Sequence, residues 1–376
     1  MTSLEIREVH SKADTQRFID FPHALYEGDA NYVPELFMAQ KDLLNPKKHP
    51  FHKHGTVDKF VAYQDGKIVG RIAAIQNPAY NEYHECKLGF FGFYDYVESP
   101  EVATALIDKV RDHLKPFGYD KLMGPVNFST NETAGTLVEG FDSPPKIMMT
   151  YNKSYYDRIQ QEIGMEKEMD LYAYFIPTAS VSDKSVRLHD LLVQRLQKQG
   201  ISIREIDIKN IKKEVPALRK VYNSAWEKNW GFVPMNASEF EHLAADLKLI
   251  ADPAFSYVAE NKAGEAIGFS VSLPDINEIT RGFKKGRLFP FNILKLLMNR
   301  KKVSSVRIIT TGVVADYRNK GIEAIFFAKN ILEAKKRNLK GGEASWVLEN
   351  NKEMMLAAEK LKGEKYKTYR LYTCNA

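Results

Sequence analysis

A chain of 376 residues with 44% hydrophobic and 27% charged side chains can bury the cores of two ordinary globular domains, and its composition excludes a disordered or collagen-like polymer. Its +6 formal charge, 54 Lys or Arg against 48 Asp or Glu, leaves nucleic acid, an anionic membrane face and a phosphorylated ligand open as partners. Cys86 and Cys374 stand far apart without metal-ligand spacing, and no run of about eighteen apolar residues offers a membrane span, so no metal and a reducing, cytoplasmic location are expected. The opening residues mix Glu5, Arg7 and Glu8 with apolar side chains, unlike a signal peptide.

In chain order, residues 4–9 read as a strand and 12–26 as a helix. Residues 60–75 read as two strands joined at Asp65-Gly66, a strong hairpin signal. Strand 87–97, helix 101–117, strand 121–126 and helix 154–163 follow. The polar segment 176–183 has the Pro and Ser content of a boundary, and a connector helix is expected near 184–199. The plan then repeats: strand 201–208, helix 211–228, a second hairpin at 257–273, strand 306–314, helix 321–338, strand 343–348 and helix 352–361. Hairpins 197 residues apart, each followed by alternating strand and helix, predict an α/β fold of two related domains, each a mixed sheet flanked by helices. The expected division is 1–178, 179–200 as connector, and 201–376.

The segment Arg318-Asn319-Lys320-Gly321-Ile322-Glu323-Ala324 ends a β-rich run and opens a helix. Helix-opening amides point outward with partial positive charge and bind pyrophosphate, Arg318 and Lys320 add full charges, and Gly321 lets the backbone come close. Here the chain resembles the GNAT superfamily of acyl-CoA-dependent N-acyltransferases, whose pyrophosphate turn reads Arg/Gln-x-x-Gly-x-Gly/Ala. The resemblance implies acyl-CoA as co-substrate, held by Val313, Val314, Arg318, Asn319, Lys320, Gly321, Ile322 and Ala324. Two positions depart from the family: Glu323 stands where Gly or Ala is usual, and Ala358 falls where a tyrosine usually reprotonates the CoA thiolate. In the first half the equivalent turn is Tyr96-Val-Glu-Ser-Pro-Glu101, where Pro100 removes an amide donor and two carboxylates oppose phosphate, so that half is expected not to bind coenzyme.

Two polar, aromatic segments are candidates for the acceptor site. One is a long loop over 124–145 continuing to 156, with Asn127, Asn131, Glu132, Tyr151 and Asn152. The other, 222–234, holds Trp226, Asn229, Trp230 and Phe232. For each, packing and backbone satisfaction stand as the competing use. The phrases Gly-Pro-x-Asn-Phe-Ser-Thr-Asn at 124–131, Glu-Gly-Phe-Asp-x-Pro-Pro at 139–145, Asn-Trp-Gly-Phe at 229–232 and Ser-Trp-Val-Leu-Glu-x-Asn at 345–351 resemble a bacterial tandem-domain branch of the superfamily. That branch is similar to enzymes of the bacterial ceramide-synthase type, which implies a lipid long-chain amine as acceptor.

Between 281 and 302 stand eight Lys or Arg and no Asp or Glu, interleaved with large apolar residues. Such a segment fits an anionic membrane surface, or it docks on its own domain with its charges solvated. For catalysis, Glu349 is the first candidate base, with Glu343 and Glu132 behind it; Asn351 opens the following helix, and Tyr366 or water is the candidate acid. Backbone amides near Val313 and Val314 are expected to polarise the thioester carbonyl. Two other functions compete: a degenerate protein that binds acyl-CoA or lipid without turnover, and an aminoacyl transferase of the Fem type. No nucleic-acid partner is expected, since neither a coiled-coil arm nor a stacked-aromatic RNA motif is present.

Overall fold

The computed structural model describes residues 3–180 and 183–376, so Met1 and Thr2, and Val181 and Ser182 of the expected boundary segment, lie outside the described residues. The strands in chain order are β1 (Leu4–Glu8), β2 (Thr56–Gln64), β3 (Lys67–Gln76), β4 (Leu88–Tyr96), β5 (Lys121–Gly124), β6 (Thr136–Glu139), β7 (Glu166–Pro177), β8 (Ser202–Glu205), β9 (Ser256–Glu260), β10 (Ala266–Pro274), β11 (Ser305–Val313), β12 (Gly341–Leu348) and β13 (Glu364–Asn375). The chain is a mixed α/β protein and groups into two compact units. Unit 1 comprises Met1–Leu171, Thr280–Ile293 and Lys367–Ala376; unit 2 comprises Tyr172–Ile279 and Leu294–Tyr366. The grouping differs from the chain-order division at 178 and 200, because 280–293 and 367–376 pack with unit 1.

In unit 1 the strand order is β1-β2-β3-β4-β5-β13, with β6 also on β13. The Asp65-Gly66 turn joins β2 to β3 with φ of 50° and 75°, the left-handed pair that a two-residue hairpin needs. β4 and β5 are parallel, so a crossover helix must join them, and Pro100–Leu114 supplies it. Ser99 accepts the Val102 amide at 3.2 Å, and Pro100 takes the first helical position, where no donor is needed. From there Val102, Leu106, Val110 and Leu114, spaced by four, form a buried stripe that joins Phe60, Ile72, Phe91 and Tyr372 in one core.

Unit 2 runs β7-β12-β11-β10-β9-β8. β8 to β11 are antiparallel neighbours, while β11 and β12 are parallel and joined through the helix Ile322–Lys336. One face of this sheet packs Tyr257, Ile267 and Val313 against Ile322, Ile325 and Phe326 of that helix. The other packs Val258 and Phe269 against Val215, Leu218 and Val221 of the helix Ile211–Trp226.

Unit 1 buries one ion pair in this apolar setting. The Arg71 guanidinium lies 2.7 Å from Asp95, which also accepts the Tyr26 hydroxyl at 3.0 Å, and Arg71 donates to the Phe18 carbonyl at 2.9 Å. Removing one partner strands the other charge, so Asp95→Ala is expected to lower stability by about 3–5 kcal/mol in urea unfolding. The pair Arg71→Met with Asp95→Leu is expected to recover much of that loss, and a single variant no less stable than the parent contradicts this account.

Candidate active site

The site in unit 2 begins where two strands part. β11 and β12 are in register from Ser305–Gly341 to Ile308–Ala344, and there the pairing stops. At the same place Val271 of β10 faces Thr310 while Ser272 faces Ile308, leaving Ile309 as a bulge. β11 continues to Val313 beside β10 alone, so a fork opens between β11 and β12.

The side chains around the fork sort by strand alternation. Val271 and Phe269 pack on the side of the helix Ile211–Trp226, so their partner Thr310 faces that side, as does Arg307 opposite Leu273. Trp226 ends that helix, stacking on Tyr222 at 4.8 Å and closing over β11. A Cβ on Gly312 would lie 2.3 Å from its indole, so only glycine fits beneath it.

Next to the fork the coenzyme-type helix opens at Gly321, whose φ of +96° needs glycine and whose cap has no side-chain hydrogen bond. The Arg318 guanidinium donates to the carbonyls of Val313, at 3.2 Å, and Ala225, at 2.8 Å, which ties the turn to both β11 and the helix Ile211–Trp226. Asn319 takes φ of 60°, and the Lys320 ammonium sits 4.4 Å from the Tyr317 ring centre. Glu323 occupies the first turn, and burial lifts its pKa against the pull of its own backbone amide and of Arg318. One expectation needs correcting. The Val314 amide donates to the Ile267 carbonyl at 2.9 Å and Val313 pairs with Gly268, so strand pairing persists there and the Val314 amide is not open to a thioester; the break in pairing lies at Ile309.

Beneath the fork lies a buried polar nest. Glu343 of β12, fully buried, stands in register with Arg307 and 3.5 Å from its guanidinium, and it accepts the Ser345 hydroxyl at 2.5 Å. Arg307 donates to the same hydroxyl oxygen at 2.8 Å, and the Tyr366 hydroxyl donates to the second oxygen of Glu343. Glu349 lies half-buried just past the end of β12, and Asn351 caps the helix Lys352–Lys360 by accepting the Met354 amide at 3.1 Å. Ala358 is buried against Tyr174 and Val347.

In unit 1 the same positions are built shut. The Ser99 side chain occupies the opening of the equivalent helix. Beyond β5 the strands stay joined: the Val126 amide donates to the Phe91 carbonyl at 2.8 Å, and the Asn127 side chain accepts the Phe93 amide at 2.9 Å. A Cβ on Gly92 would come within 1.9 Å of the Val126 carbonyl oxygen, so no gap remains.

The acceptor candidates divide between the units. In unit 1, Asn127 closes the strands, Asn152 brackets Leu137 by accepting its amide at 2.6 Å and donating to its carbonyl at 3.0 Å, and Glu132 accepts the Ser129 hydroxyl at 2.7 Å. The Asn131 amide donates to Ser129 Oγ at 3.1 Å, and the Tyr151 hydroxyl donates to Asp29 at 3.0 Å. In unit 2, Phe232 is buried and Asn229 and Trp230 are half-buried. Trp226 is the acceptor candidate that meets the fork, through Gly312.

Two polar groups were not legible as site residues. The Thr310 hydroxyl, one residue past the bulge, is buried without a hydrogen-bond partner among the described residues. On the opposite face a crevice walled by Ile176, Val306, Ile308, Phe327, Ile331 and Leu361 contains Asn330, 4% exposed, with both carboxamide atoms likewise unpartnered. Among the described residues no group of three or more His, Cys, Asp or Glu side chains is placed to hold a metal.

No protein-family model matches the chain. It is 35% identical over 375 residues to Protein YghO of Escherichia coli (strain K12), covering 98% of this chain and 94% of that protein. It is 35% identical over 379 residues to a bacterial ceramide synthase of Caulobacter vibrioides (strain NA1000 / CB15N), covering 98% and 97%. Among solved structures, a tandem GNAT protein from the clavulanic acid biosynthesis pathway matches with a TM-score of 0.59 at 10% identity, covering 99% of this chain and 98% of that one. The fold is therefore that of the tandem GNAT acyltransferases. Within that class, the chain belongs to the family of the Caulobacter ceramide synthase and YghO.

A buried carboxamide with no partner costs about 1–3 kcal/mol, so Asn330→Leu is expected to raise stability by about that amount in urea unfolding. A loss of stability instead shows that Asn330 is hydrogen-bonded in solution.

Proposed function

We propose that unit 2 transfers an acyl group from acyl-CoA to the primary amine of a long-chain amphiphile. The observation that carries this reading is the pairing of a helix that opens on Gly321, with no capping side chain at that residue, with an open strand fork in unit 2; in unit 1 Ser99 caps the helix and the strands stay joined. Family membership supports N-acyl transfer, and the name of the Caulobacter relative supports a lipid amine as acceptor.

In this reading the pyrophosphate lies on the amides opening the helix Ile322–Lys336, beside Lys320, while Arg318 holds the turn in shape. The thioester arm enters the fork, where amides around the Ile309 bulge polarise its carbonyl and the Thr310 hydroxyl stands alongside. An amine is protonated near neutral pH, so Glu349 takes its proton before or during attack. The nitrogen then bonds the thioester carbon, the carbon–sulfur bond breaks, and the second proton that the nitrogen sheds on becoming an amide reaches the thiolate through Tyr366 or water. Glu343, already bonded to Ser345 and Tyr366 and flanked by Arg307, positions Tyr366.

Glu349→Gln is expected to lower kcat/KM about 10²–10⁴-fold in a thiol-release assay with long-chain acyl-CoA and a long-chain amine, leaving CoA affinity unchanged. Undiminished turnover removes Glu349 as the base, and failure of the parent protein to bind CoA removes the whole reading. Glu323→Gln takes a negative charge from the anion site, worth about 0.3–1 kcal/mol, so calorimetry is expected to show CoA binding strengthened about two- to fivefold. Glu323 and Ala358 also favour a second reading, coenzyme binding without turnover. CoA binding with no thiol release across long-chain and short amine acceptors selects that one.

A further inference from the structure

The surplus charge of the chain has one address. Residues 281–302 hold eight Lys or Arg and no carboxylate, while the other 354 residues carry 46 Lys or Arg against 48 Asp or Glu. The large apolar side chains of the segment do not all turn inward: Phe289, Phe291, Leu294, Leu297 and Met298 are 62%, 78%, 59%, 42% and 74% exposed. Others are anchors, since Phe283, Leu288 and Leu296 are buried. Lys285 pairs with Asp20 at 3.0 Å, and Arg287 lies 4.8 Å from the Phe37 ring centre, so the stretch before the helix Asn292–Asn299 is fixed to its unit. Docking of the segment onto its own domain, the competing expectation from the sequence, accounts for the anchors but leaves the five exposed side chains in water.

We infer that the helix Asn292–Asn299 and the cations beside it form a docking surface for an anionic lipid bilayer, with Leu294, Leu297 and Met298, three and four positions apart on one helix face, entering the interface and Lys295, Arg300, Lys301 and Lys302 resting on lipid phosphates. Charge complementarity selects the occupant: residues 294–302 hold four cations and no carboxylate, so the stretch repels another copy of itself and favours a negatively charged sheet. Exposed Leu and Met with flanking Lys and Arg are the mixture of chains lying in the headgroup region rather than crossing it. Consistently, among the described residues no helix is long and apolar enough to cross a membrane. The inference stands on this surface, and only its purpose, access to an amphiphilic acceptor, rests on the function proposed above.

The test is cosedimentation of the full chain with vesicles of phosphatidylcholine alone and of phosphatidylcholine mixed with phosphatidylglycerol, at low and high salt. Binding to the mixed vesicles, weakened by salt, is expected. Each cation near an anionic surface is worth roughly a factor of five in partition, so the triple variant Lys295→Glu, Lys301→Glu, Lys302→Glu is expected to lose at least about 100-fold. Leu294→Ser with Leu297→Ser and Met298→Ser is expected to lose binding as well. All six positions are exposed, so both variants are expected to keep the parent melting temperature and the parent rate of thiol release with a short, water-soluble amine. That rate separates failure of the docking surface from failure of the acyltransferase reading. Equal partition onto phosphatidylcholine alone, no binding to either vesicle, or a dimer that the serine variant dissolves would each overturn the inference.

Discussion

Parallel strands that stop hydrogen-bonding part-way along leave backbone donors and acceptors facing a gap, and a protein keeps such a gap only if something else occupies it. Unit 2 is arranged around one of these. Ile309 bulges where β12 leaves, Trp226 covers the next stretch of β11 through a glycine that admits its ring, and Arg318 fastens the turn that follows. Unit 1 solves the same problem inwardly: Asn127 supplies with its side chain the acceptor for the Phe93 amide. One architecture thus gives an open fork in one unit and a closed one in the other, and the difference lies in a few hydrogen bonds rather than in the order of elements.

The floor of the open fork is rigid for an electrostatic reason. A buried carboxylate is tolerable only when its lone pairs are taken, and Glu343 has Ser345, Tyr366 and Arg307 around it. Arg307 in turn bonds Ser345 and lies 5.5 Å from the Trp346 ring centre. Each member needs the others, so the nest fixes the relative position of β11 and β12 just below the point where they separate.

Much of the fold was legible because local chemistry and tertiary structure agree. Asp65-Gly66 can hardly be anything but a two-residue turn, and the basic turn before Gly321 announces a helix opening on a strand end. The helix Ala237–Leu247, absent from the expected elements, carries a readable signal too, the capping box of Asn236 and Glu239. What stayed hidden depends on partners far away in sequence. The Ile309 bulge exists only as an offset against β10, which is why the end of strand pairing was expected near Val314 instead. β7, over Glu166–Pro177, was masked by its charged start and by a boundary signal at its end. Asn127 and Asn152 looked like ligand groups because their type is ambiguous: the same carboxamide serves a substrate or a stretch of backbone, and here both serve backbone.

The pairing of β13 also bears on how the molecule is made. Tyr372 through Asn375 lie alongside β5, and Arg111 of unit 1 reaches the Asn375 carbonyl at 2.9 Å. These residues leave the ribosome after every residue of unit 2. Unit 1, although it starts first, therefore waits with one edge of β5 uncovered through the synthesis of its neighbour. Domains usually mature in the order in which they emerge. Here the order is inverted, and a chain released before residue 367 would carry all of the coenzyme-type fork while leaving the earlier-made unit unfinished.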